Sequence, residues 1–119
     1  MKNRIDYCLE KIKSENRSAL VTYLTVGYPN ANISESLATA VLANGADMLE
    51  LGIPFSDPLA DGPTIQMTSF RALKNGTNVQ TAIDTVTGLR STDIEAPLVF
   101  MGYFNPFLQY GTVSYTHLR

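Results

Sequence analysis

The sequence has little of the chemistry on which metal, redox and histidine-dependent sites rely. Its 119 residues include one histidine, His117, close to the C-terminal end, and one cysteine, Cys8, which has no CxxC partner. Neither histidine catalysis nor a metal site is therefore expected. Cys8 is predicted to be a small buried hydrophobe. A single cysteine is also more typical of a reducing cytoplasm than of a disulfide-stapled secreted domain.

Charge and hydropathy exclude two further classes of function. The formal net charge is −2, from 9 basic and 11 acidic residues, and no cluster of lysine or arginine could neutralise a row of phosphates. Nucleic-acid binding is therefore not expected. The N-terminus is charged, and no apolar run approaches the roughly 20 residues that cross a bilayer. Neither a signal peptide nor a membrane span is predicted.

Hydrophobic periodicity predicts helices and strands in alternation. Three apolar runs are predicted to be buried strands, at about residues 18–26, 47–52 and 98–102. Helices are predicted at about residues 2–15, 32–44, 63–75 and 78–89, and residues 103–106 are predicted to be the exit loop of the third strand. This alternation is typical of parallel βαβ units, which build either an open doubly wound sheet or a closed (β/α)₈ barrel.

Caps and spacing predict where these helices begin and which side chains they bury. Asn32 and Glu35 resemble a capping box, Pro63 suits a first helical turn, and Asn78 is a candidate N-cap. The side chains expected on the buried stripes are Ile5, Leu9 and Ile12, then Leu37, Ala40, Val41 and Leu42, then Ile65, Met67, Phe70 and Leu73, and finally Val79, Ile83 and Val86.

The fingerprints of nucleotide binding are absent, which favours the barrel. No GxGxxG and no GxxxxGK[ST] follows any of the three predicted strands. Both architectures place their ligands beyond the carboxyl ends of the strands. Alternation along the second strand puts Glu50 and Gly52 on one face and Leu49 and Leu51 on the other. If the first face points into a barrel, Glu50 lies near its mouth.

Glu50 is the main candidate for acid–base chemistry. Its neighbours Leu49 and Leu51 are apolar, and loss of hydration is expected to raise the pKa of the carboxyl group towards neutrality. A carboxyl group of this kind suits a proton carrier, although a structural glutamate held by backbone donors is the alternative. The proline-stiffened loop that follows carries Asp57 and Asp61. Asp57, with its neighbouring serine, also suits an Asx-type turn without any chemistry.

The segment from Glu50 to Gln66, ELGIPFSDPLADGPTIQ, resembles the signature of the tryptophan synthase alpha chain family. The segments TVGYP at 25–29 and MGYFNP at 101–106 resemble the same family, and the resemblance runs from about residue 4 to residue 112. It implies a (β/α)₈ barrel, of which this chain would contain the first three strands with their helices and an N-terminal helix. It also implies a cytoplasmic lyase of tryptophan biosynthesis, which cleaves indole-3-glycerol phosphate to indole and glyceraldehyde 3-phosphate by a retro-aldol reaction.

The resemblance also implies roles for individual residues. Glu50 would carry the protons, and Asp61 would accept a hydrogen bond from the indole N–H and stabilise the charge that develops on the ring. The implied apolar walls for the indole are Tyr23, Leu24, Phe100, Met101 and Tyr103. The chain itself would need no cofactor. Its implied partner is a beta chain that carries pyridoxal phosphate in an α2β2 assembly, contacted by Pro54, Asp57, Pro58, Asn105, Pro106 and Phe107.

Length and the last residues depart from the family pattern. A barrel of this type takes about 250 residues and holds substrate phosphate with the loops after strands seven and eight. Residues 1–112 are therefore predicted to be the N-terminal part of a barrel domain, and residues 113–119, VSYTHLR, a non-native tail. The chain alone is expected to be inactive and, because its sheet edges are open, prone to aggregation.

Three alternatives remain open at this point. The chain could resemble a stand-alone indole-3-glycerol-phosphate lyase, although the segment Asn105-Pro106-Phe107 favours a partnered subunit. It could be a non-catalytic module that binds and activates a beta chain. It could also belong to another phosphate-binding barrel, such as a phosphoribosyl anthranilate isomerase or a thiamine phosphate synthase, which share the strand and helix order but not the acidic loop.

Overall fold

The computed structural model describes residues 1–92 and 94–111. Its elements are α1 (Arg4–Ser14), β1 (Val21–Thr25), α2 (Ala31–Ala43), β2 (Met48–Gly52), α3 (Pro63–Lys74), α4 (Val79–Ser91), β3 (Leu98–Met101) and α5 (Phe104–Tyr110). The predicted order of strands and helices is confirmed. The predicted exit loop over 103–106 is wrong, because α5 begins at Phe104 directly after its N-cap, Tyr103. The predicted tail at 113–119 lies outside the described residues.

The three strands form one parallel sheet in the order β1-β2-β3. In its register Tyr23 pairs with Glu50 and Glu50 with Val99, while one residue further on Leu24 pairs with Leu51 and Leu51 with Phe100. Side chains in the same row of a parallel sheet point to the same side. The core face consists of Thr22, Leu24, Leu49, Leu51, Leu98 and Phe100, and the inner face consists of Val21, Tyr23, Thr25, Met48, Glu50, Gly52, Val99 and Met101.

The hydrophobic core lies between the core face and the helices α2 and α4. Leu49 and Leu51 are almost fully buried there, together with Ala38 of α2 and with Ala82 and Leu89 of α4. Each buried leucine contributes about 2 kcal/mol through removal of its apolar surface from water. Doubly wound sheets are covered by helices on both faces and change strand order at a switch point. Strands in consecutive order, with α2 and α4 packed on the same face, favour the barrel.

Two of the three predicted helix starts are confirmed and one is wrong. Pro63 occupies the first turn of α3, and the Asn78 side chain caps α4 by accepting from the backbone N–H of Thr81 at 3.1 Å. The cap of α2 is Asn30, whose Oδ1 accepts from the N–H of Ile33 at 3.0 Å. The backbone of Asn30 is extended, as an N-cap requires, whereas Asn32 already lies within the helix.

The buried stripes of α2 and α3 are rotated from the prediction towards small residues. In α2, Ser34 and Ala38 are buried, and Leu37, expected inside, is 41% exposed. In α3, Ser69 and Ala72 are buried, whereas the predicted Met67 and Phe70 are exposed. Small side chains let these helices approach the sheet closely, and larger ones pack at the sides or face outward. The other side chains predicted to be buried differ in exposure. Ile12, Val79 and Ile83 are buried, and Val41, Leu42, Ile65, Leu73 and Val86 are half-buried. The exposed ones are Ile5, Leu9 and Ala40.

An ion pair at the amino ends of the strands links the segment before β1 to the residue before β2. Arg17 donates from Nη1 and Nη2 to the two carboxylate oxygens of Asp47, at 2.7 and 2.6 Å, and the Leu20 N–H donates to Asp47 Oδ2 at 2.8 Å. These bonds, with that from Arg17 first, lower the pKa of Asp47 to about 2. Cys8 Sγ donates to the Asp47 backbone oxygen at 3.5 Å and is half-buried, so the prediction that it is buried is wrong.

No helix within residues 1–92 and 94–111 combines the length and the apolar character that a membrane crossing requires.

Candidate active site

The loop between β2 and α3, residues 53–62, is the acidic loop, and it is held from both sides. The N–H of Ala60 donates to the Tyr103 hydroxyl at 2.8 Å, and the Phe55 and Tyr103 rings lie 5.3 Å apart, centroid to centroid. On the other side, Gln66 Nε2 of α3 donates to the Asp61 backbone oxygen at 2.9 Å. The loop is thereby fixed to the residue after β3 and to the first turn of α3, which places Asp61 over the carboxyl ends of the strands.

A cleft of about 180 Å³ lies between the acidic loop and the carboxyl ends of the strands. It is lined by Tyr23, Ile53, Ala60, Asp61, Ser69, Met101, Gly102 and Tyr103. The walls are largely apolar, and Asp61 is the acidic side chain among them. An apolar cleft with few polar groups is the usual form of a small-molecule site, and its volume is below the roughly 300–1,000 Å³ of typical ligand pockets. Its size therefore suits one ring system.

Glu50 lies on the inner face, as strand alternation predicts. Its Cα pairs with Tyr23 of β1 and with Val99 of β3, and its side chain is half-buried. It is two residues before Gly52, which ends β2 below the acidic loop. Glu50 is not one of the residues that line the cleft, so it lies below the cleft on the inner face and not in its wall.

The Tyr23 side chain crosses from β1 over Gly52 of β2. A Cβ atom at position 52 would lie 2.0 Å from the Tyr23 hydroxyl oxygen, so only glycine leaves room for this ring. Burial raises the pKa of the Tyr23 hydroxyl, and the carboxylates of Asp61 and Glu50 act in the same direction. Both acids therefore lie within electrostatic reach of one phenol, which stays protonated at neutral pH.

Two threonines join α3 to the end of β1. The Oγ1 atoms of Thr25 and Thr68 are 2.8 Å apart, and either can be the donor. Thr25 Oγ1 also lies 3.5 Å from the Tyr23 hydroxyl, to which it donates. Thr25 is buried and Thr68 is half-buried. The hydroxyl pair therefore places a second polar group next to Tyr23.

Of the residues predicted to line the site, Tyr23, Asp61, Met101 and Tyr103 come together at the cleft. Leu24 and Phe100 do not. Both lie on the core face in the row of Leu51 and pack against the buried core, so their prediction as indole walls is wrong. The prediction relied on nearness to a strand end, whereas the register decides the face. The same alternation that placed Glu50 inside would have excluded both residues.

Sequence reasoning missed several residues of the site. Gly52, Thr25, Thr68 and Ser69 were not predicted to belong to it. Gly52 carried a signal, because it follows Glu50 on the same strand face. Thr68 and Ser69 carried none, since the helical stripe of α3 was assigned to Met67 and Phe70.

The residues predicted to contact a partner differ widely in exposure. Asp57 and Asn105 are exposed, and Pro58 and Pro106 are half-buried. Pro54 is buried at the start of the acidic loop, and its contact with a partner stays a prediction. Phe107 is half-buried, packs against the core cluster and lies close to Gly102. Two exposed apolar side chains in the same region were missed, Leu59 at 92% and Phe104 at 66% exposure.

Among the described residues, no group of three or more histidine, cysteine, aspartate or glutamate side chains could hold a metal ion.

Comparison with known sequences points to one family. The family model described as tryptophan synthase alpha chain matches residues 9–118. The tryptophan synthase alpha chain of Roseiflexus sp. (strain RS-1) is 52% identical over 109 residues, which cover 92% of this chain and 42% of that protein. The alpha chain of Caulobacter sp. (strain K31) is 46% identical over 114 residues, which cover 96% of this chain and 42% of that protein. The matched range enters the segment 113–119, whose departure from the family stays a prediction.

Comparison with solved structures gives the same result. Tryptophan synthase subunit alpha from Legionella pneumophila str. Paris superposes with a TM-score of 0.96 at 42% identity, covering 99% of this chain and 45% of that one. An aminoacrylate-bound tryptophan synthase from M. tuberculosis superposes with a TM-score of 0.89 at 34% identity, covering 98% and 47%. The predicted partial (β/α)₈ barrel is thereby confirmed. The chain spans about 42% of the length of the curated relatives it matches.

Proposed function

Because this chain belongs to the tryptophan synthase alpha chain family, we propose that a polypeptide of its relatives' length cleaves indole-3-glycerol phosphate by a retro-aldol reaction. The products are indole and glyceraldehyde 3-phosphate. The observation that carries the proposal is that two acids lie close to the hydroxyl-bearing side chain of Tyr23. Glu50 is paired with Tyr23 in the sheet register, and Asp61 lines the same cleft as Tyr23. Two carboxylates in different surroundings suit two different roles.

The chemistry assigns one role to each acid. Cleavage requires that C3 of the indole ring accepts a proton while a hydroxyl proton on the side chain is removed. Glu50, half-buried on the inner face, is the proposed proton carrier for these steps. Asp61 is proposed to accept a hydrogen bond from the indole N–H and to stabilise the positive charge that develops as the ring tautomerises. Ile53, Met101 and Tyr103 supply the apolar walls for the ring plane.

The proposed partner is a beta chain that carries pyridoxal phosphate, and the proposal assigns no cofactor to this chain. Asp57, Leu59, Phe104 and Asn105 support it, because they are exposed on two neighbouring segments linked by the bond from Ala60 to Tyr103. Leu59 and Phe104 both leave a large apolar side chain exposed on these two segments, which suits a contact with a partner. This observation favours a partnered subunit over the stand-alone lyase. The cytoplasm is the proposed compartment, supported by the single cysteine.

The test uses a chimera in which residues 1–111 are joined to the C-terminal remainder of the Roseiflexus relative. We expect the chimera to release indole from indole-3-glycerol phosphate. Glu50→Gln should lower the turnover number by about 10²–10⁴-fold at every pH, because an amide cannot carry the proton. Asp61→Asn should cost less, since an amide oxygen still accepts a hydrogen bond but does not balance the ring's charge.

Asp84→Asn is the matched control, because Asp84 is an exposed acid on α4 whose carboxylate accepts from Gln80. It should leave indole release unchanged. Turnover by Glu50→Gln close to that of the unsubstituted chimera would remove Glu50 from the mechanism. Equal losses for the two site variants would contradict the division of roles. A chimera that stimulates a beta chain without releasing indole would support the non-catalytic module instead.

A further inference from the structure

The Tyr23 side chain places a polar group where the site otherwise needs only an apolar wall. A phenylalanine would fill the same space over Gly52 and close the cleft equally well. The tyrosine adds one hydroxyl, and its oxygen lies directly above the backbone of Gly52. Gly52 is two residues beyond Glu50 towards the carboxyl end of β2. The hydroxyl therefore lies on the cleft side of Glu50, between that acid and the acidic loop.

The hydroxyl is held from one side and open on the other. Thr68 Oγ1 lies 2.8 Å from Thr25 Oγ1, and Thr25 Oγ1 donates to the Tyr23 oxygen at 3.5 Å. Thr68 Oγ1 donates to the Ile65 backbone oxygen at 3.0 Å, so the Thr25 proton is shared between Thr68 and Tyr23. Neither threonine uses the Tyr23 proton, which is left to donate elsewhere. Tyr23 lines the cleft, so a ligand in the cleft is within its reach.

We propose that the Tyr23 hydroxyl is a third polar group of this site, which donates a hydrogen bond to the glycerol chain of the ligand and is positioned by the Thr25 and Thr68 hydroxyls. The inference rests on the proposed function, because it names a contact to that ligand. Tyr23 is a binding residue in this account, and the two threonines are positioning residues.

The glycerol chain is the part of the ligand that this hydroxyl can reach. The ring occupies the apolar cleft with its N–H at Asp61, and the carbon that breaks from the ring must lie towards Glu50. Tyr23 is the register partner of Glu50, so their Cα atoms are neighbours across two strands about 4.8 Å apart. The chain hydroxyls next to the ring therefore lie close to both side chains. A phenol that stays protonated suits a donor at this place.

The test measures equilibrium binding to the 119-residue chain with two ligands. Indole-3-glycerol phosphate carries the chain hydroxyls, and indole-3-propanol phosphate has the same ring and phosphate without them. The sequence contains no tryptophan, so the fluorescence of the ligand's indole reports binding without a protein indole background. Tyr23→Phe keeps the ring over Gly52 and removes only the hydroxyl.

We expect Tyr23→Phe to raise the Kd for the glycerol ligand about three- to tenfold, the effect of one hydrogen bond, and to leave the Kd for the propanol ligand unchanged. Thr68→Val should give a smaller rise with the same selectivity. Tyr7→Phe, a tyrosine exposed on α1, is the matched control and should change neither Kd.

A loss that is equal for the two ligands would overturn the inference, because it would show a packing effect of the ring and not a bond to the chain. An unchanged Kd for the glycerol ligand would also overturn it, while leaving the proposed function intact. If the unsubstituted 119-residue chain binds neither ligand, the inference is overturned, while the proposed function, which concerns a polypeptide of the relatives' length, is decided separately by indole release from the chimera. Circular dichroism of each variant checks the fold, and Thr68→Val tests the same selectivity if Tyr23→Phe does not fold.

Discussion

At the scale of single residues, the site depends on a glycine that carries no chemistry. The hydroxyl of Tyr23 occupies the space in which a side chain at position 52 would begin. Glycine is therefore required here for close approach and not for an unusual backbone angle. The hydroxyl can lie on the cleft side of Glu50 only because β2 ends without a side chain on its inner face.

Gly52→Ala should destabilise the chain and displace the Tyr23 ring. The new methyl group would lie 2.0 Å from the Tyr23 oxygen, and such overpacking costs about 1–3 kcal/mol. Urea unfolding measures the loss. The matched control is the same substitution in a Tyr23→Ala chain, which lacks the ring that the methyl group would meet, so Gly52→Ala should cost clearly less there. Similar costs in the two chains would contradict the close approach at Gly52.

At the scale of helices and strands, two asparagines near the start of α2, Asn30 and Asn32, have different roles. Asn30 should matter because its side chain satisfies the N–H of Ile33, and Asn32 should not, because it is already helical. Asn30→Ala is expected to cost about 1 kcal/mol of unfolding free energy, and Asn32→Ala close to none. Thermal unfolding of the two variants side by side measures the difference. A larger loss for Asn32→Ala would restore the capping box predicted from the sequence.

Local sequence patterns predicted the helices and strands, whereas the burial of individual side chains depended on long-range packing. The apolar run around Leu49, the first-turn Pro63 and the cap Asn78 are local signals, and each predicted its element correctly. The misplaced Phe100 depended on the register between strands, which no local pattern contains. The exposed Phe70 depended on which side chains allow α3 to approach the sheet, and there a buried serine was preferred to a larger apolar residue.

At the scale of the whole molecule, the two ends of the sheet have separate tasks. The carboxyl ends carry the cleft, and the amino ends carry the ion pair between Arg17 and Asp47. That pair joins the segment before β1 to the residue before β2 and is supported by the N–H of Leu20. It lies at the opposite end of the strands from the cleft, so we expect it to contribute to stability and not to the site.

Acid should weaken the fold through Asp47. Its pKa is lowered from the ordinary 3.8 to about 2 in the folded chain, so between these values the unfolded chain binds more protons. The stabilisation is therefore complete above about pH 4 and is lost as the pH falls towards 2. Melting temperatures between pH 6 and pH 2 measure it. Asp47→Asn should flatten this dependence, whereas Asp84→Asn should follow the unsubstituted chain; parallel curves for Asp47→Asn would contradict the assignment.

The unpaired edges of the sheet support the prediction that the 119-residue chain aggregates. Within the described residues β1 and β3 each have one neighbouring strand, and Val21 and Met101 of the inner face are 46% and 49% exposed. Unpaired edges and exposed apolar side chains both favour association between copies. We therefore expect aggregation of the 119-residue chain, and the chimera is the suitable molecule for kinetic measurements.

The hydrophobic core lies on one side of the sheet, and Glu50 and the cleft lie on the other. Successive positions along each strand therefore differ in role, because one packs in the core and the next faces the proposed site. A library that varies Tyr23, Val99 and Met101 while keeping Leu24, Leu51 and Phe100 would explore new specificities on an unchanged scaffold. Because alternate residues of a strand face opposite sides of the sheet, the residues near the cleft can change while the residues of the core stay the same.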